Sequence, residues 1–337
     1  MKNILLVVAL IVLSSTVYYV FSSTDVSGEP VTTANYVRAE SDMQMKAYTD
    51  NFDSFGKFHH NRAMYDVTKQ LTIRPNTDTL YSFGIFDLTS PLELKMPMTD
   101  RYQSAMIVSE DHSLYALYQG DYVITENDIG SRYVFILLRT FVDPNDITDL
   151  EEAHQVQDMV EVSQKTVGSF DVPNWDEASL ASKRKELVAI ASLLPNSQGM
   201  YGKKEQLDPV RHLLGAAYGW GGLPEADASY DLAAPANNDG KTVHSLTVKD
   251  VPVNGFWSVT VYNNAGYFDV NDRDVYSLNS KTVKPNSDGS ITVQFGSCEN
   301  IDNCLEIMDG WNYAIRMYQP EEDILDGTWT FPKPTPK

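Results

Sequence analysis

VPVNGFWSVTVYNNAGYF, residues Val251 to Phe268, is the stretch whose reading decides the fold. It is entered through Pro252 and left by a turn at Asn263-Asn264-Ala265-Gly266, the signature of a bounded strand. Alternation puts Trp257, Val259 and Val261 on one face and Phe256, Ser258, Thr260 and Tyr262 on the other. The first face is plain core. The second mixes hydroxyls with aromatics, as a shallow pocket or a solvated sheet requires. Near the C-terminus WNYAIRMYQP (Trp311 to Pro320) is two-sided in the same way, Trp311, Tyr313, Ile315 and Met317 alternating with Asn312, Ala314, Arg316 and Tyr318. If the two strands share a sheet, Arg316 and Tyr318 project from the face carrying Ser258, Thr260 and Tyr262.

Outward from this core the chain reads as mainly β. RPNTDTLYSFGIFDL opens with a turn at Arg74-Pro75-Asn76 and continues as a strand with two apolar faces, hence a central one. Short strands follow at Leu92–Met96, Tyr102–Val108, Leu114–Tyr118 and Tyr133–Arg139, a spacing that predicts a β-sandwich over 45–142. Residues 143–222 turn helical. Leu150, Ala153, Val156 and Val160 recur at helical spacing, a second helix spans Asp176–Leu194, and a third starts at Asp208 and Pro209 and ends in Gly219, Gly221 and Gly222. Strands return over 223–337, at Val243–Val248, Val253–Tyr262, Ser290–Phe295 and Trp311–Tyr318, with hairpin signals at Asn238-Asp239-Gly240 and Asn286-Ser287-Asp288-Gly289.

Residues 1–24 read as a signal peptide or signal anchor. Lys2 precedes an apolar run from Ile4 to Leu13, and the apolar character resumes to Phe21. Residues 25–44 read as a linker. Export, to the periplasm or beyond the cell, makes a local disulfide between Cys298 and Cys304 the simplest use of the two cysteines, adding about 2–2.5 kcal/mol by the chain-entropy model. A net charge of −20 argues against a nucleic-acid partner, because phosphate contacts need Lys and Arg. Contact with a membrane is expected only through an uncleaved N-terminal segment. Homo-oligomerisation stays open.

Catalytic signatures are missing: no dinucleotide fingerprint, P-loop, HExxH or GxSxG is present, and no cofactor or metal is expected. His59-His60 lacks a third ligand at metal spacing and reads as a surface or capping pair. Asp269, Asp272 and Asp274 resemble a calcium loop in composition alone. Three positions stand higher. Asn76 and Asp78 sit at the mouth of a strand, where they cap the turn or meet a ligand. Arg316 lies in an apolar strand and must pair with a carboxylate, from a ligand or from Glu225, Asp227 or Asp231.

The run RPNTDTLYS with DLTSPLELKMPMTDRYQS resembles the N-terminal half of a paired family, domain of unknown function 1254. VPVNGFWSVTVYNNAGYF, NSDGSITVQFG and GWNYAIRMYQP…ILDGTWTFP resemble its C-terminal partner, domain of unknown function 1214. The resemblance runs from about residue 45 to the end. The family's motif positions match at Asn76, Asp78, Tyr81, Trp257, Tyr262, Arg316, Tyr318, Trp329 and Pro332, while Glu306 stands where a proline is expected. It implies an immunoglobulin-like sandwich, a small helical region and a jelly-roll-like domain, and it transfers no activity. The leading expectation is a protein that binds a small apolar or carboxylate-bearing molecule between its domains. Arg316 would anchor the anion, with Tyr318, Trp257, Tyr262 and Asn76 in contact. The alternatives are a hydrolase or lyase, with Asp78 or His212 as base and Tyr81 or Arg316 stabilising negative charge, and a structural or adhesive envelope protein.

Overall fold

The computed structural model describes residues 28–70, 74–144, 146–194 and 196–337. The expected targeting segment, the first residues of the expected linker, Asn145 and Pro195 lie outside them. The N-terminal half holds β1 (His59–His60), β2 (Thr79–Asp87), β3 (Leu92–Met96), β4 (Gln103–Ser109), β5 (Leu114–Leu117), β6 (Gly120–Ile124), β7 (Tyr133–Phe141) and β8 (Glu161–Gln164). They form a five-stranded sheet in the order β1-β2-β7-β4-β5 and a three-stranded sheet in the order β6-β3-β8. In β3 the alternation is clean, with Leu92, Leu94 and Met96 buried and Glu93 and Lys95 exposed. These side chains meet Ala105, Ile107, Val134, Ile136 and Leu138 of the larger sheet in one core. The first sandwich therefore extends past residue 142. Gln164 of β8, inside the stretch expected to be helical, donates to the carbonyls of Asp87 and Ser90, both at 2.9 Å.

Four helices of ten or more residues pack around this sandwich: α1 (Tyr36–Phe52), α2 (Ile147–Asp158), α3 (Glu177–Ala191) and α4 (Pro209–Tyr218). The last three start on the side-chain caps of Asp146, Asp176 and Asp208. α1 corrects the expectation of a linker to residue 44. Its buried face carries Glu40, Ser41 and Asp42 among Tyr36, Ala39 and Met45, so no apolar stripe shows in the sequence. Each buried polar group has a partner across the interface. Arg184 reaches Glu40 at 2.7 Å, Trp220 Nε1 donates to Ser41 Oγ at 2.9 Å, and Trp175 Nε1 donates to Asp42 Oδ2 at 2.9 Å.

The C-terminal half holds β9 (Ala228–Ala233), β10 (His244–Val248), β11 (Trp257–Tyr262), β12 (Ser277–Asn279), β13 (Ile291–Phe295), β14 (Cys304–Leu305), β15 (Asn312–Tyr318) and β16 (Thr335–Pro336). Sheets ordered β12-β11-β15-β9 and β14-β13-β10-β16 face each other. Val259, Val261 and Ile315 of one meet Leu246, Val293 and Phe295 of the other. Cys298 and Cys304 are bonded, S–S 2.09 Å, tying the loop after β13 to the first residue of β14. The mainly β class, with two sandwiches and helices between, is as expected. The sandwiches share a core: Phe256 stacks on Tyr318 with centroids 4.4 Å apart, and Tyr102 and Phe141 of the first half pack edge-on against Phe256 at 5.2 and 5.0 Å. No helix of the described residues is long and apolar enough to cross a membrane.

The docking of α1 carries a pH dependence. Burial, then Glu110 close by, pushes the Asp42 carboxyl up to about 7, against the hydrogen bond from Trp175 and the charge of Arg38. An acid whose pKa is higher folded than unfolded binds its proton more tightly in the native state. Its contribution to stability is therefore greatest below an unfolded pKa of about 3.9 and declines as pH rises toward about 7. Asp42→Asn keeps an acceptor for Trp175 and removes the decline. In urea unfolding its midpoint should exceed the wild-type midpoint by a margin that grows between about pH 4 and about pH 8. A constant margin would remove the buried charge from Asp42.

Candidate functional site

β11 and β15 are neighbours, pairing Ser258 with Arg316, Thr260 with Ala314 and Tyr262 with Asn312. Directly opposed residues share a face, so Arg316 does emerge beside Ser258, Thr260 and Tyr262. That face meets the mouth of β2. Arg316 Nη1 donates to Thr260 Oγ1 at 2.9 Å, and Nη2 donates to Tyr262 Oη at 2.7 Å and to the carbonyls of Arg74 at 2.9 Å and Pro75 at 3.3 Å. Tyr262 in turn donates to the Pro75 carbonyl at 2.6 Å. Burial works against the Arg316 charge, but the Tyr262 and Tyr318 phenols and Asp78 outweigh it and hold the proton in place. The expected partners Glu225, Asp227 and Asp231 are not used. Asp227 instead accepts from Tyr118 Oη at 2.9 Å.

Asp78 is fully buried. Ser277 Oγ donates to both its oxygens at 3.1 Å and Asn279 Nδ2 to one at 3.2 Å. Burial raises its pKa, and Arg316, Asn279 and Ser277 pull against that rise. It is a locking group inside the seam and does not line the cleft beside it. Asn76, two residues earlier, donates to Tyr318 Oη at 3.0 Å and to Thr79 Oγ1 at 3.1 Å, and accepts from the Asp78 amide.

Beside this seam opens a cleft of about 990 Å³. Its walls are the outer face of β2 and β7 (Tyr81, Phe83, Leu137, Arg139), one side of α1 (Gln44, Ala47, Tyr48, Asn51), Tyr230 and Leu232 on β9, and Arg316 and Tyr318 on β15. Asn61, Tyr65, Lys69, Arg74, Pro75 and Asn76 complete the rim. Four cationic side chains and no Asp or Glu line it, in a chain of net charge −20. Arg139 lies directly across from Tyr81 in the β2–β7 ladder, its guanidinium carbon 5.7 Å from the centre of that ring. Burial pushes the Tyr81 phenol up, but Arg139, then Thr79 and Asn76 through hydrogen bonds, and Arg316 outweigh it, leaving its pKa below the ordinary value.

Of the residues singled out from the sequence, Asn76, Tyr81, Arg316 and Tyr318 meet at the cleft. Tyr262 lies fully buried beneath it. Trp257 does not reach it. Its parity points it into the core between the C-terminal sheets, edge-on to Phe331 at 5.3 Å. His212 is also elsewhere, its Nε2 3.0 Å from the Asp111 carbonyl and its ring stacked 5.6 Å from His112. His59 stacks on Phe83 at 5.2 Å, and His60 Nδ1 lies 2.7 Å from Ser82 Oγ. Sequence reasoning missed Arg139, Arg74 and Tyr230 as site residues. The signal for Arg139 was present, since YVFILLRTF holds a single charge in an apolar strand, as IRMY does for Arg316.

Two β-sandwiches meeting at a cationic, aromatic-walled cleft define the class of this protein. Residues 55–121 match the family model described as Protein of unknown function (DUF1254), and residues 228–322 match Protein of unknown function (DUF1214), so the paired resemblance holds in the expected order. In fold the chain is similar to the VPA0106 protein from Vibrio parahaemolyticus, with 17% identity, a TM-score of 0.67, and coverage of 90% of this chain and 98% of that one. An uncharacterized protein from Burkholderia cenocepacia aligns over 89% of each chain at 12% identity and a TM-score of 0.47. Comparison with curated proteins gave no match.

Arg316 and Asp78 are both buried and each shifts the other's pKa without direct hydrogen-bond contact, which makes a thermodynamic cycle informative. Arg316→Met and Asp78→Asn should each destabilise, Arg316→Met by about 1–3 kcal/mol because it leaves the Arg74 and Pro75 carbonyls without their donor in the seam. The double variant should fall short of the sum by about 0.5–3 kcal/mol in chemical denaturation. Strict additivity would mean that the two groups do not interact.

Proposed function

We propose that this is an exported protein, periplasmic or secreted, that holds a small apolar or carboxylate-bearing molecule in the cleft between its two sandwiches. The observation that carries this reading is the composition of the cleft walls: aromatic rings and four cationic side chains with no acidic residue. Aromatic walls favour an apolar body, and guanidinium groups in a partly dry site favour a single anionic end. Arg316 contributes its charge from behind, its Nη1 and Nη2 groups hydrogen-bonded to protein oxygens. Tyr318 and Asn76 supply polar edges. The Cys298–Cys304 bond and the basic-then-apolar start of the chain support export. A wide cleft beside Arg316 weighs against a purely structural or adhesive role.

One observation favours a second reading, an enzyme of the hydrolase or lyase kind. Tyr81 faces the cleft with a phenol whose proton is loosened by Arg139 and Arg316. In such an enzyme Tyr81 would be the acid–base group, and the buried Asp78 and distant His212 would not.

Native mass spectrometry of protein recovered from its natural source tests the binding reading. The wild type should carry a stoichiometric adduct. Ala47→Trp, on an exposed position of the α1 wall, should lose the adduct while keeping its melting temperature to within about 2 °C, since surface substitutions cost within about 0.5 kcal/mol. An adduct retained at full occupancy by Ala47→Trp would place the ligand outside the cleft.

A further inference from the structure

The cleft contains a cation that the protein itself leaves without a counter-ion. Arg139 sits on β7, the middle strand of the five-stranded sheet, and is 8% exposed. Its one hydrogen-bond partner among the described residues is the Met106 thioether, 3.9 Å away, and it makes no ion pair among them. Other partly buried arginines differ. Arg101 reaches Asp149 at 2.6 Å and Arg132 reaches Asp87 at 2.7 Å. Arg316 is filled by a hydroxyl, a phenol and two carbonyls. A guanidinium this largely buried without an oxygen acceptor is costly, and a planar carboxylate arriving through the cleft would meet its fork with two parallel hydrogen bonds.

The surroundings narrow the rest of the ligand. Edge-on rings line the wall next to β2: Tyr48 and Phe52 of α1 stand against Phe83 with centroids 4.6 and 5.0 Å away. Such a wall offers ring edges and faces to a flat apolar body. Arg74 also lines the cleft without an ion pair among the described residues but reaches Asn312 Oδ1 at 3.5 Å, so Arg139 is the guanidinium left with no oxygen acceptor, and the field of a chain carrying −20 opposes entry of polyanions. Tyr230, 47% exposed, and Leu232, 54% exposed, leave an apolar lip at the mouth.

Resting on the cleft-binding reading, we propose that Arg139 is its anion receptor and that the ligand class is an aromatic monocarboxylate. The carboxylate caps the Arg139 guanidinium, and the ring lies along Tyr48, Phe52 and Phe83.

Isothermal titration calorimetry with 2-naphthoate and its neutral partner 2-naphthamide tests this. The wild type should prefer the naphthoate by about 10- to 100-fold, the factor expected of a charge-assisted hydrogen-bonded pair. Arg139→Gln should lose that preference, binding the naphthoate about 10- to 100-fold more weakly and the naphthamide within about twofold of wild type, which also reports a folded cleft. Equal wild-type affinity for the two probes, or unchanged naphthoate affinity in Arg139→Gln, overturns the receptor. If the naphthamide still binds and Ala47→Trp abolishes it, the cleft reading survives that loss. Binding of neither probe by wild type overturns the ligand class, and the native adduct then decides the cleft reading separately.

Discussion

A guanidinium enclosed between two sandwiches has to be surrounded by oxygen, and the way Arg316 meets that requirement orders the molecule. Its own sheet supplies Thr260 and Tyr262, but two further acceptors are the backbone carbonyls of Arg74 and Pro75 from the other half of the chain. Carbonyls cannot rotate away as side chains can, so the entry to β2 is fixed against the face of β11 and β15. Asp78 follows into the seam and is held by Ser277 and Asn279 of β12. Asn76 turns outward to Tyr318. With this register set, period-two alternation sends Tyr81 and Phe83 into the cleft, and the β2–β7 ladder sets Arg139 beside Tyr81.

The legibility of this arrangement followed the physics of each element. Alternation is local, so the strands and the two faces of β11 and β15 could be read directly, including the side on which Arg316 emerges. Trp257 shows the limit of reading by residue type, since its parity already placed it with Val259 and Val261, and the structure keeps it there. Arg139 shows the opposite error. It met the same criterion as Arg316, a lone charge in an apolar run, but the strand expected over Tyr133–Arg139 left it at a strand end, whereas β7 runs on to Phe141. Pairing of β7 with both β2 and β4 puts Arg139 in the middle of a sheet instead.

Helix α1 was invisible for a different reason. Helices are found by an apolar stripe, whereas the stripe of α1 includes Glu40, Ser41 and Asp42. Their partners, Arg184, Trp220 and Trp175, lie far along the chain. A buried polar contact carries no short-range signature, because each half looks solvated until the other is in place. The same holds for β8, whose four residues find their sheet only through β3.

Polar docking of α1 also bears on the cleft it walls. An apolar interface would hold the helix with little dependence on solution conditions, whereas Asp42 is buried at the cost of a displaced pKa. The wall that contributes Tyr48 and Phe52 is therefore anchored at a site whose net stability falls as Asp42 ionises, because the cost of burying the charge exceeds what Trp175 and Arg38 return, while the opposite walls on β2, β7 and β15 are fixed by sheet ladders and the Arg316 seam. Acidic groups are spent on that anchoring and on the outer surface, leaving none on the cleft itself. The separation of charge follows: the net charge of −20 is carried away from the cleft, whose lining holds cationic side chains alone. Under the proposed binding role, a small monoanion with an apolar body would gain from both properties of such a site, since its ring would cover apolar wall and its carboxylate would supply the oxygen acceptor that Arg139 otherwise lacks.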